Sequence, residues 1–269
     1  MNRIAVHLSS RGNPLLKKLR LLVSGSDKST DELAVAEGDR ILHEVIQSGC
    51  EIEAVVISEN FGLDTRERIL LKVWQDRGIK LYSVNRKLFK SFSSLQTPQG
   101  AIALVKVPEA RCMPKVDQNA LILFVCGIQD PGNMGTLIRT AAAAGATFIC
   151  TSRGSVSARN PKVIRSSAGV FFHHPPVEHV EADTFLQYCL ENSVQPYRTD
   201  AKGGMPYTET DLKSPSAILL GNEGSGMTEE AFASLPAIHI PMSRGIESLN
   251  VALAGAVILF EARRQRSRL

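Results

Sequence analysis

The chain has 269 residues, which suits one large domain or two small ones. Its 43% hydrophobic and 22% charged residues are ordinary for a globular protein. A net charge of +4 permits an anionic partner such as RNA without requiring one.

The cysteines and the apolar runs bound the compartment. The five cysteines form no CxxC pair, which argues against a disulfide framework or a zinc site and for a reducing compartment. The apolar run at 4–8 is too short for a signal peptide and contains His7. The longest apolar run, 251–260, is well below the roughly 20 residues that a membrane span needs. We therefore expect a cytoplasmic protein without a membrane segment.

The N-terminal half predicts a compact α/β unit. The basic amphipathic segment 15–23 indicates a helix whose cations form a solvated face or a phosphate-facing arm. After it, strands are predicted at 32–38, 52–58, 79–84 and 100–107, with helices at 39–47 and 65–77 that end at Gly49 and Gly78. Two prolines and mixed charges break the periodicity over 108–119, which is the predicted linker between a domain at 1–107 and one at 120–269.

Strands and helices alternate more strictly in the second half. Strands are predicted at 120–126, 146–150, 170–176, 194–199, 217–220 and 237–241, and helices at 136–144, 161–168, 183–192 and 228–235. Such alternation indicates an open parallel sheet that helices cover on both faces.

The closing helix, which runs to Gln265, has polar first residues and an apolar body. Because that body is apolar almost all round, we expect it to be buried on every face. Glu247, Ser248 and Asn250 at its start are either helix caps or groups that bind a ligand.

Three loops rich in Gly, Asn and Ser follow predicted strands and lead into predicted helices. They lie at 130–135, 221–227 and 241–250. Ligands of open parallel sheets bind outside the carboxyl ends of the strands, and glycine lets a backbone approach a ligand closely. The glycines at 221, 224 and 226 spell neither the dinucleotide fingerprint GxGxxG nor a phosphate-binding loop. The three loops therefore predict a ligand site of another kind.

Two charged side chains stand out near these loops. Arg139 has no carboxylate three or four residues away, so it is either a surface arginine or a guanidinium aimed at a specific target. Glu223 lies between glycines and either caps the following helix or belongs to the site.

The segment after Asn160 carries a second candidate. Lys162 and Arg165 are three residues apart near a helix start, which predicts either a phosphate site or a solvated basic face. His173 and His174 lie on opposite faces of the predicted strand at 170–176, so we expect no metal site there.

The three loops together carry a recognisable pattern. The chain resembles the SpoU/TrmH family of RNA ribose methyltransferases, in the SPOUT class of trefoil-knotted enzymes. Its motifs are DPGNMGTLIRTAAAAGA at 130–146, LLGNEGSGM at 219–227 and IPMSRGIESLNVALAGAVILFEARRQ at 240–265. LAVAEGDRILHEVI and TPQGAIALV are similar to the family's ribosomal-protein-like substrate-binding domain.

The resemblance implies a fold and a cofactor that periodicity does not. It implies a smaller N-terminal α/β substrate-binding domain and a C-terminal α/β domain with a parallel sheet. The C-terminal segment of the second domain would form a trefoil knot that binds S-adenosyl-L-methionine. Family members are homodimers with the active site near the subunit interface. By motif position, the cofactor-binding residues are Gly221, Ile240, Met242 and Leu249.

The implied reaction is methyl transfer to a ribose 2′-hydroxyl of structured RNA. By motif match, Arg139 is the principal catalytic residue, and its polar surroundings are Asn133, Glu223, Ser248 and Asn250. For an arginine to act as the base, a pKa above about 12 would have to fall by some five units, on the order of 7 kcal/mol. Our hypothesis is that this guanidinium holds the adjacent phosphate and stabilises the developing alkoxide.

Alternatives remain within and outside the family. The ribosomal-protein likeness favours ribosomal RNA as substrate over transfer RNA. A catalytically silent RNA-binding relative is disfavoured by the joint presence of Arg139, Glu223, Ser248 and Asn250. A nucleotide-dependent enzyme of conventional doubly wound fold is disfavoured because its fingerprints are missing.

Overall fold

The computed structural model of the chain describes residues 5–25, 33–107, 112–222 and 230–267. Internal contacts divide the chain into two compact units. The N-terminal unit comprises Met1–Glu109 together with Arg159–His173, and the C-terminal unit comprises Ala110–Ala158 and His174–Leu269. The domain boundaries drawn from the sequence stay a prediction.

The N-terminal unit is built on a five-stranded mixed sheet with the strand order β1-β4-β3-β5-β2. Strands β1, β4 and β3 are parallel, whereas β5 runs antiparallel to both β3 and β2. The elements are β1 (Val6–His7), α1 (Pro14–Val23), β2 (Leu33–Glu37), α2 (Asp39–Ser48), β3 (Ile52–Ser58), α3 (Thr65–Asp76), β4 (Leu81–Val84), α4 (Arg86–Lys90) and β5 (Ala101–Lys106).

Local signals account for the ends of its helices. Helix α3 begins with a capping box, in which Asp64 accepts from the backbone N–H of Glu67 at 2.8 Å and Glu67 accepts from that of Asp64 at 3.3 Å. Helix α2 ends at Gly49, whose φ of 74° suits glycine. Apolar side chains of α1, such as Leu16 and Leu19, form one core with the strands.

The C-terminal unit is built on a six-stranded sheet with the order β7-β6-β10-β8-β11-β9 and parallel pairing throughout. Its strands are β6 (Leu121–Val125), β7 (Phe148–Thr151), β8 (Gln195–Thr199), β9 (Met205–Pro206), β10 (Ser216–Leu220) and β11 (Ala237–His239). The helices of the second half are α5 (Pro131–Ala144), α6 (Pro161–Ser166), α7 (Ala182–Glu191) and α8 (Val251–Arg266). Every residue of β6 and β10 is buried, as the continuous apolar runs predict for a parallel sheet. The predicted α/β class of both halves is confirmed, and the knot remains what the family resemblance implies.

Helices α5 and α8 pack closely against each other at a glycine. A Cβ atom added at Gly255 would lie 2.7 Å from Leu137 of α5 and 2.7 Å from Leu220 at the end of β10. The Arg263 guanidinium also donates to the backbone carbonyl of Ala143 at the end of α5. The last helix is therefore fixed against the helix of the first motif.

Helix α6 groups with the N-terminal unit although it follows β7 in the chain. The Arg165 guanidinium donates to Ser94 Oγ at 2.6 Å. Glu37, a buried carboxylate at the end of β2, accepts from the hydroxyls of Ser93 and Ser94 and from the backbone N–H of Ser94 at 3.0 Å. Cys50 Sγ donates to the backbone carbonyl of Phe172 at 3.5 Å.

Two predicted boundaries of the first motif and its sequel are wrong. Helix α5 begins at Pro131 and not at Thr136, because Asp130 caps it by accepting from the Asn133 N–H at 2.8 Å. The predicted strand at 170–176 is absent: Val170–Phe172 forms a single 3₁₀ turn after Gly169, whose φ is 86°. The opposite-face argument for the two histidines therefore fails, and His173 Nε2 donates to the Glu44 carboxylate at 3.1 Å.

The closing helix also differs from its prediction. It begins at Val251 with Asn250 as its N-cap, so Glu247 and Ser248 lie in the preceding loop. It is not buried on every face, because Leu253 is 57% exposed and Phe260 is 48% exposed. Of the helix predicted at 228–235, the described part is a 3₁₀ turn at Glu230–Phe232.

No helix in the described ranges is both long enough and apolar enough to cross a bilayer.

Candidate functional site

The C-terminal unit holds a cleft of about 390 Å³ beside the carboxyl ends of β8, β10 and β11. This volume is within the roughly 300–1,000 Å³ of small-molecule sites. Its walls come from the residues that follow these strands and from the first turns of α8. The position is the one expected for a ligand of a parallel sheet.

All four residues predicted to bind the cofactor line this cleft. Gly221 follows β10, Ile240 and Met242 follow β11, and Leu249 precedes α8. Leu249 is 36% exposed, so an apolar surface is open to a ligand there. Their assignment to the cofactor stays a prediction, but the structure brings them together in one cleft.

Asn250 joins the third motif to the first. Its side-chain oxygen accepts from the backbone N–H groups of Ala252 at 3.0 Å and Leu253 at 3.3 Å, which caps α8. Its amide nitrogen donates to Asn133 Oδ1 of α5 at 3.1 Å. Asn250 therefore serves as a helix cap and also bonds to Asn133, another predicted site residue. The sequence leaves open whether Asn250 is a cap or a group of the site.

The second motif is tied to the strand that precedes the first motif. Asn222 Nδ2 donates to the backbone carbonyl of Gly127 at 2.9 Å, and Gly127 has a φ of 65°. Gly127 lies between β6 and α5, so this bond holds the described start of the second loop beside the first. The described residues of the three motifs are thus connected by hydrogen bonds beside the sheet.

The charges that line the cleft are carboxylates. Asp200 and Glu247 are among its lining residues, whereas no lysine or arginine is among the described ones. A hydrogen bond from the Arg198 side chain, at 2.7 Å, and one from the Lys202 backbone N–H, at 2.8 Å, hold the pKa of Asp200 below its usual 3.8. Asp200 is therefore ionised at neutral pH.

His239 also lines the cleft, and its Nδ1 atom is buried without a hydrogen-bond partner in the described parts of the chain. A buried polar atom without a partner is costly unless a ligand or water satisfies it. The sequence analysis missed both His239 and Asp200. Their position directly at the ends of β11 and β8 was the available signal, because ligands bind beside strand ends.

Of the remaining catalytic candidates, Arg139 is exposed on α5 and does not line the cleft. Its guanidinium has no hydrogen bond or ion pair with any residue that the structure describes. Ser248 lines the cleft and is exposed. Glu223 lies outside the described residues.

The two predicted RNA-binding residues belong to the N-terminal unit. Lys162 is exposed, and its backbone N–H is capped by Asn160 at 2.9 Å. Arg165 is half-buried by its bond to Ser94, so part of its donor capacity is used inside the unit. The two cations of α6 therefore differ in how available they are to a phosphate: Lys162 is exposed, whereas Arg165 is bound to Ser94.

Within the described ranges, no group of three or more His, Cys, Asp and Glu side chains is placed to hold a metal ion.

Comparisons with known proteins match both halves of the chain. The sequence profile of the SpoU rRNA methylase family matches residues 120–260, and that of the MRM3-like substrate binding domain matches residues 13–103. The 23S rRNA (guanosine(2553)-2′-O)-methyltransferase RlmP of Bacillus subtilis (strain 168) is 28% identical, with 95% of this chain and 98% of the relative covered.

Two solved structures share the whole fold. An RNA 2′-O ribose methyltransferase is 30% identical with a TM-score of 0.81, and the match covers 97% of this chain and 100% of that one. An AdoMet-bound rRNA methyltransferase from Sinorhizobium meliloti is 26% identical with a TM-score of 0.83, covering 97% of this chain and 98% of that one. Because the family profile spans more than half of the chain, and does so over all three motif loops, this protein belongs to the SpoU rRNA methylase family.

Proposed function

We propose that this protein transfers a methyl group from S-adenosyl-L-methionine to a ribose 2′-hydroxyl of ribosomal RNA. The observation that carries the proposal is that Asn250–Asn133 and Asn222–Gly127 hydrogen bonds connect the described parts of the motifs, while residues of the second and third motifs line one cleft. The names of the relatives, which are ribosomal RNA 2′-O-methyltransferases, favour ribosomal over transfer RNA.

The cleft suits this cofactor in size and in charge. It has an apolar wall at Ile240 and Leu249 and carboxylates at Asp200 and Glu247. A ligand with a sulfonium and an ammonium group gains from nearby carboxylates in a partly enclosed site. The Nδ1 atom of His239, which has no partner among the described residues, is a further polar atom that a ligand would satisfy. When bound, the cofactor supplies a methyl group on a positively charged sulfur.

The chain's own residues then orient the ribose and receive charge. Asn133 and Asn250 hold each other at 3.1 Å, which fixes one wall of polar groups. The Ser248 hydroxyl lines the cleft beside them and is a hydrogen-bond partner for the RNA. Glu223 remains part of this group by its place in the second motif.

Arg139 is proposed to hold the phosphate next to the target ribose and to stabilise the alkoxide as the hydroxyl loses its proton. A guanidinium presents a rigid fork of donors that matches phosphate geometry. The exposure of Arg139, without a partner among described residues, leaves its donors available. The proton would leave through the phosphate or through water.

We further propose that the protein works as a homodimer with the active site near the interface. Leu253 and Phe260 are seven residues apart on α8, which places them on one face, and both are about half exposed. Exposed large apolar groups on one helix face are typical of a protein–protein contact. An interface there would also place the second chain near Arg139, which is exposed on the adjoining α5.

The N-terminal unit is proposed to supply RNA affinity. The match to a substrate-binding domain at residues 13–103 supports this role. Lys162 is exposed, so its contact with a phosphate would make RNA binding depend on salt. The five cysteines are all free thiols, which supports the cytoplasm as the place of action.

The proposal is tested with total RNA from cells that lack the protein. This RNA is incubated with the purified protein and labelled cofactor, and the modified ribose is then mapped. Label in one ribosomal RNA nucleotide is the expected result. Label in transfer RNA would replace the substrate, and no label with measurable calorimetric binding of the cofactor would contradict the turnover. Absence of both would indicate a silent RNA-binding relative.

A further inference from the structure

The N-terminal unit contains a second cleft, of about 860 Å³. It lies where β3 and β4 end, between α4 and the segment 96–100 that leads into β5. Every residue that lines it belongs to the N-terminal unit. Its lining residues are of three kinds: cationic, hydrogen-bonding and apolar.

One side is cationic. Arg86, Lys87 and Lys90 of α4 line the cleft, and all three are exposed. No carboxylate in the described parts of the chain forms an ion pair with them. Glu59 accepts from the Arg86 backbone N–H at 3.3 Å. Three unpaired cations beside a concavity attract an anionic ligand.

Two other lining residues, Glu67 and Gln99, offer an acceptor and an amide. Glu67 directs Oε2 to the backbone N–H groups of Gly62 at 2.8 Å and Leu63 at 3.0 Å, which leaves Oε1 to accept another bond. Gln99 uses Oε1 to accept from the Asp39 N–H at 2.8 Å, which leaves its amide nitrogen to donate.

Asp39, whose N–H is bound by Gln99, has carboxylates near it. Burial first, and then the neighbouring carboxylates of Asp64 and Glu67, raise the pKa of Asp39, whereas His43 and Arg66 lower it. Glu67 lines the cleft as a carboxylate, so a bound phosphate is favoured beside the cations of α4 instead.

Phe61 and Gly100 give part of the lining an apolar, closely packed surface. Phe61 lines it and stacks on Trp74, with 5.8 Å between the ring centroids. Gly100 has a φ of 84°, and a Cβ there would lie 3.2 Å from the Phe61 ring. Glycine is therefore required at this position by both its backbone conformation and the space.

We propose that this cleft binds one or two unpaired nucleotides of the RNA substrate, away from the ribose that is methylated. The phosphates contact Arg86, Lys87 and Lys90, and a base enters toward Gln99 and Glu67. Bases of a duplex are stacked and paired, so they cannot enter a concavity, whereas unpaired bases present their edges. The inference rests on the proposed function for the identity of the ligand as RNA.

The experiment measures binding of a fluorescein-labelled uridine hexaribonucleotide to the full-length protein by anisotropy, from low to moderate salt. The test variant is Lys87→Gln/Lys90→Gln, and the matched control is Lys72→Gln/Lys80→Gln, which removes two exposed lysines of the same unit that do not line the cleft. Each lost phosphate contact lowers the slope of log K against log salt by about 0.7 for a single strand.

We expect the test variant to lose about 1.4 in slope and tenfold or more in affinity at low salt, with the control unchanged. Equal losses in both variants would show that only overall charge matters and would overturn the site. The duplex control is a blunt-ended hairpin whose stem contains the same hexamer sequence in paired form. It should bind at least tenfold more weakly than the single strand. Equal binding of stem and single strand would overturn the preference for unpaired nucleotides.

A readout of methylation separates this inference from the proposed function. With labelled cofactor and ribosomal RNA, the test variant should raise KM for RNA and keep kcat within about twofold of wild type, since α4 lies outside the methyl-transfer cleft. If wild type incorporates no label, the proposed function fails. If wild type is active and the test variant matches the control in KM, the second cleft alone fails.

Discussion

The two clefts use opposite means to form a binding site. The cleft in the C-terminal unit is made of strand ends and a helix start, with Asp200 and Glu247 as its charges and no described lysine or arginine in its lining. The cleft in the N-terminal unit is bordered by long exposed cations on α4. The first depends on how closely backbone segments approach one another, and the second on side chains that reach into solvent.

Because of this difference, we expect the two sites to be sensitive to different substitutions. A site formed by close packing is sensitive to added volume and to loss of a cap, and little affected by salt. A site formed by exposed cations tolerates neutral replacements structurally but loses affinity for polyanions.

Arg139 is an exposed cation of the C-terminal unit, so it is the residue that fits this contrast least. Arg139→Ala should lower kcat by roughly 10²–10³, the usual effect of removing a group that stabilises developing charge. Its thermal unfolding should match wild type, because no described residue bonds to the guanidinium. Arg139→Lys keeps the charge but loses the fork, and should also be impaired. Near-normal turnover of Arg139→Lys with unchanged RNA affinity would refute the geometric role.

Gly255 tests the close packing of the C-terminal unit. Gly255→Val places a branched side chain against Leu137 and Leu220, both within 2.7 Å of an added Cβ, and should cost about 1–3 kcal/mol or more in urea unfolding. Leu190→Val, at a helix position that is 76% exposed, is the control and should cost about 0.5 kcal/mol or less. Equal losses would mean that the helix interface is looser than described.

Asn250 separates capping from ligand contact. Asn250→Asp keeps the acceptor for the N–H groups of Ala252 and Leu253 but loses the donor to Asn133. Asn250→Ala loses both and should cost about 1 kcal/mol of stability. We expect both variants to lose activity and only the alanine variant to lose stability, measured by urea unfolding and methylation of ribosomal RNA. Full activity of the aspartate variant would leave Asn250 as a cap alone.

The pair of Arg198 and Asp200 should give the smallest effect, and one that depends on pH. The folded-state pKa of Asp200 is below its usual 3.8, so the pair's stabilisation is complete above pH 3.8 and is lost as pH falls through the folded pKa. Because both side chains are partly exposed, the coupling should be no more than about 1 kcal/mol. A double-mutant cycle with Arg198→Gln and Asp200→Asn at pH 7 and pH 3 measures it. A coupling that grew at pH 3 would contradict the sign.

The parts of the fold that periodicity predicts best are the ones fixed by local signals. The apolar runs of β6 and β10 and the glycine that ends α2 agree with the structure. The start of α5 could have been read from Asp130 and Pro131, which are a cap and a first-turn proline. The segment 170–176 could not, because a short apolar run has no period that separates a strand from a turn.

The candidate site divides in the same way. Gly221, Ile240, Met242 and Leu249 follow from the motifs, and the cleft contains all of them. Asp200 lies on a different strand from any motif, and only the pairing of β8 with β10 and β11 brings it to the cleft. The second cleft likewise joins residues from the ends of β3, β4 and the start of β5, which no local pattern connects.

The grouping of residues 159–173 with the N-terminal unit has a consequence for biosynthesis. As the nascent chain leaves the ribosome, the first unit cannot complete its own contacts at residue 109. The partners of Ser94 and Cys50, which are Arg165 and Phe172, are translated only after β6, α5 and β7. Co-translational folding of the first unit is thus completed late, and a fragment that stops at residue 109 lacks a piece of its own fold.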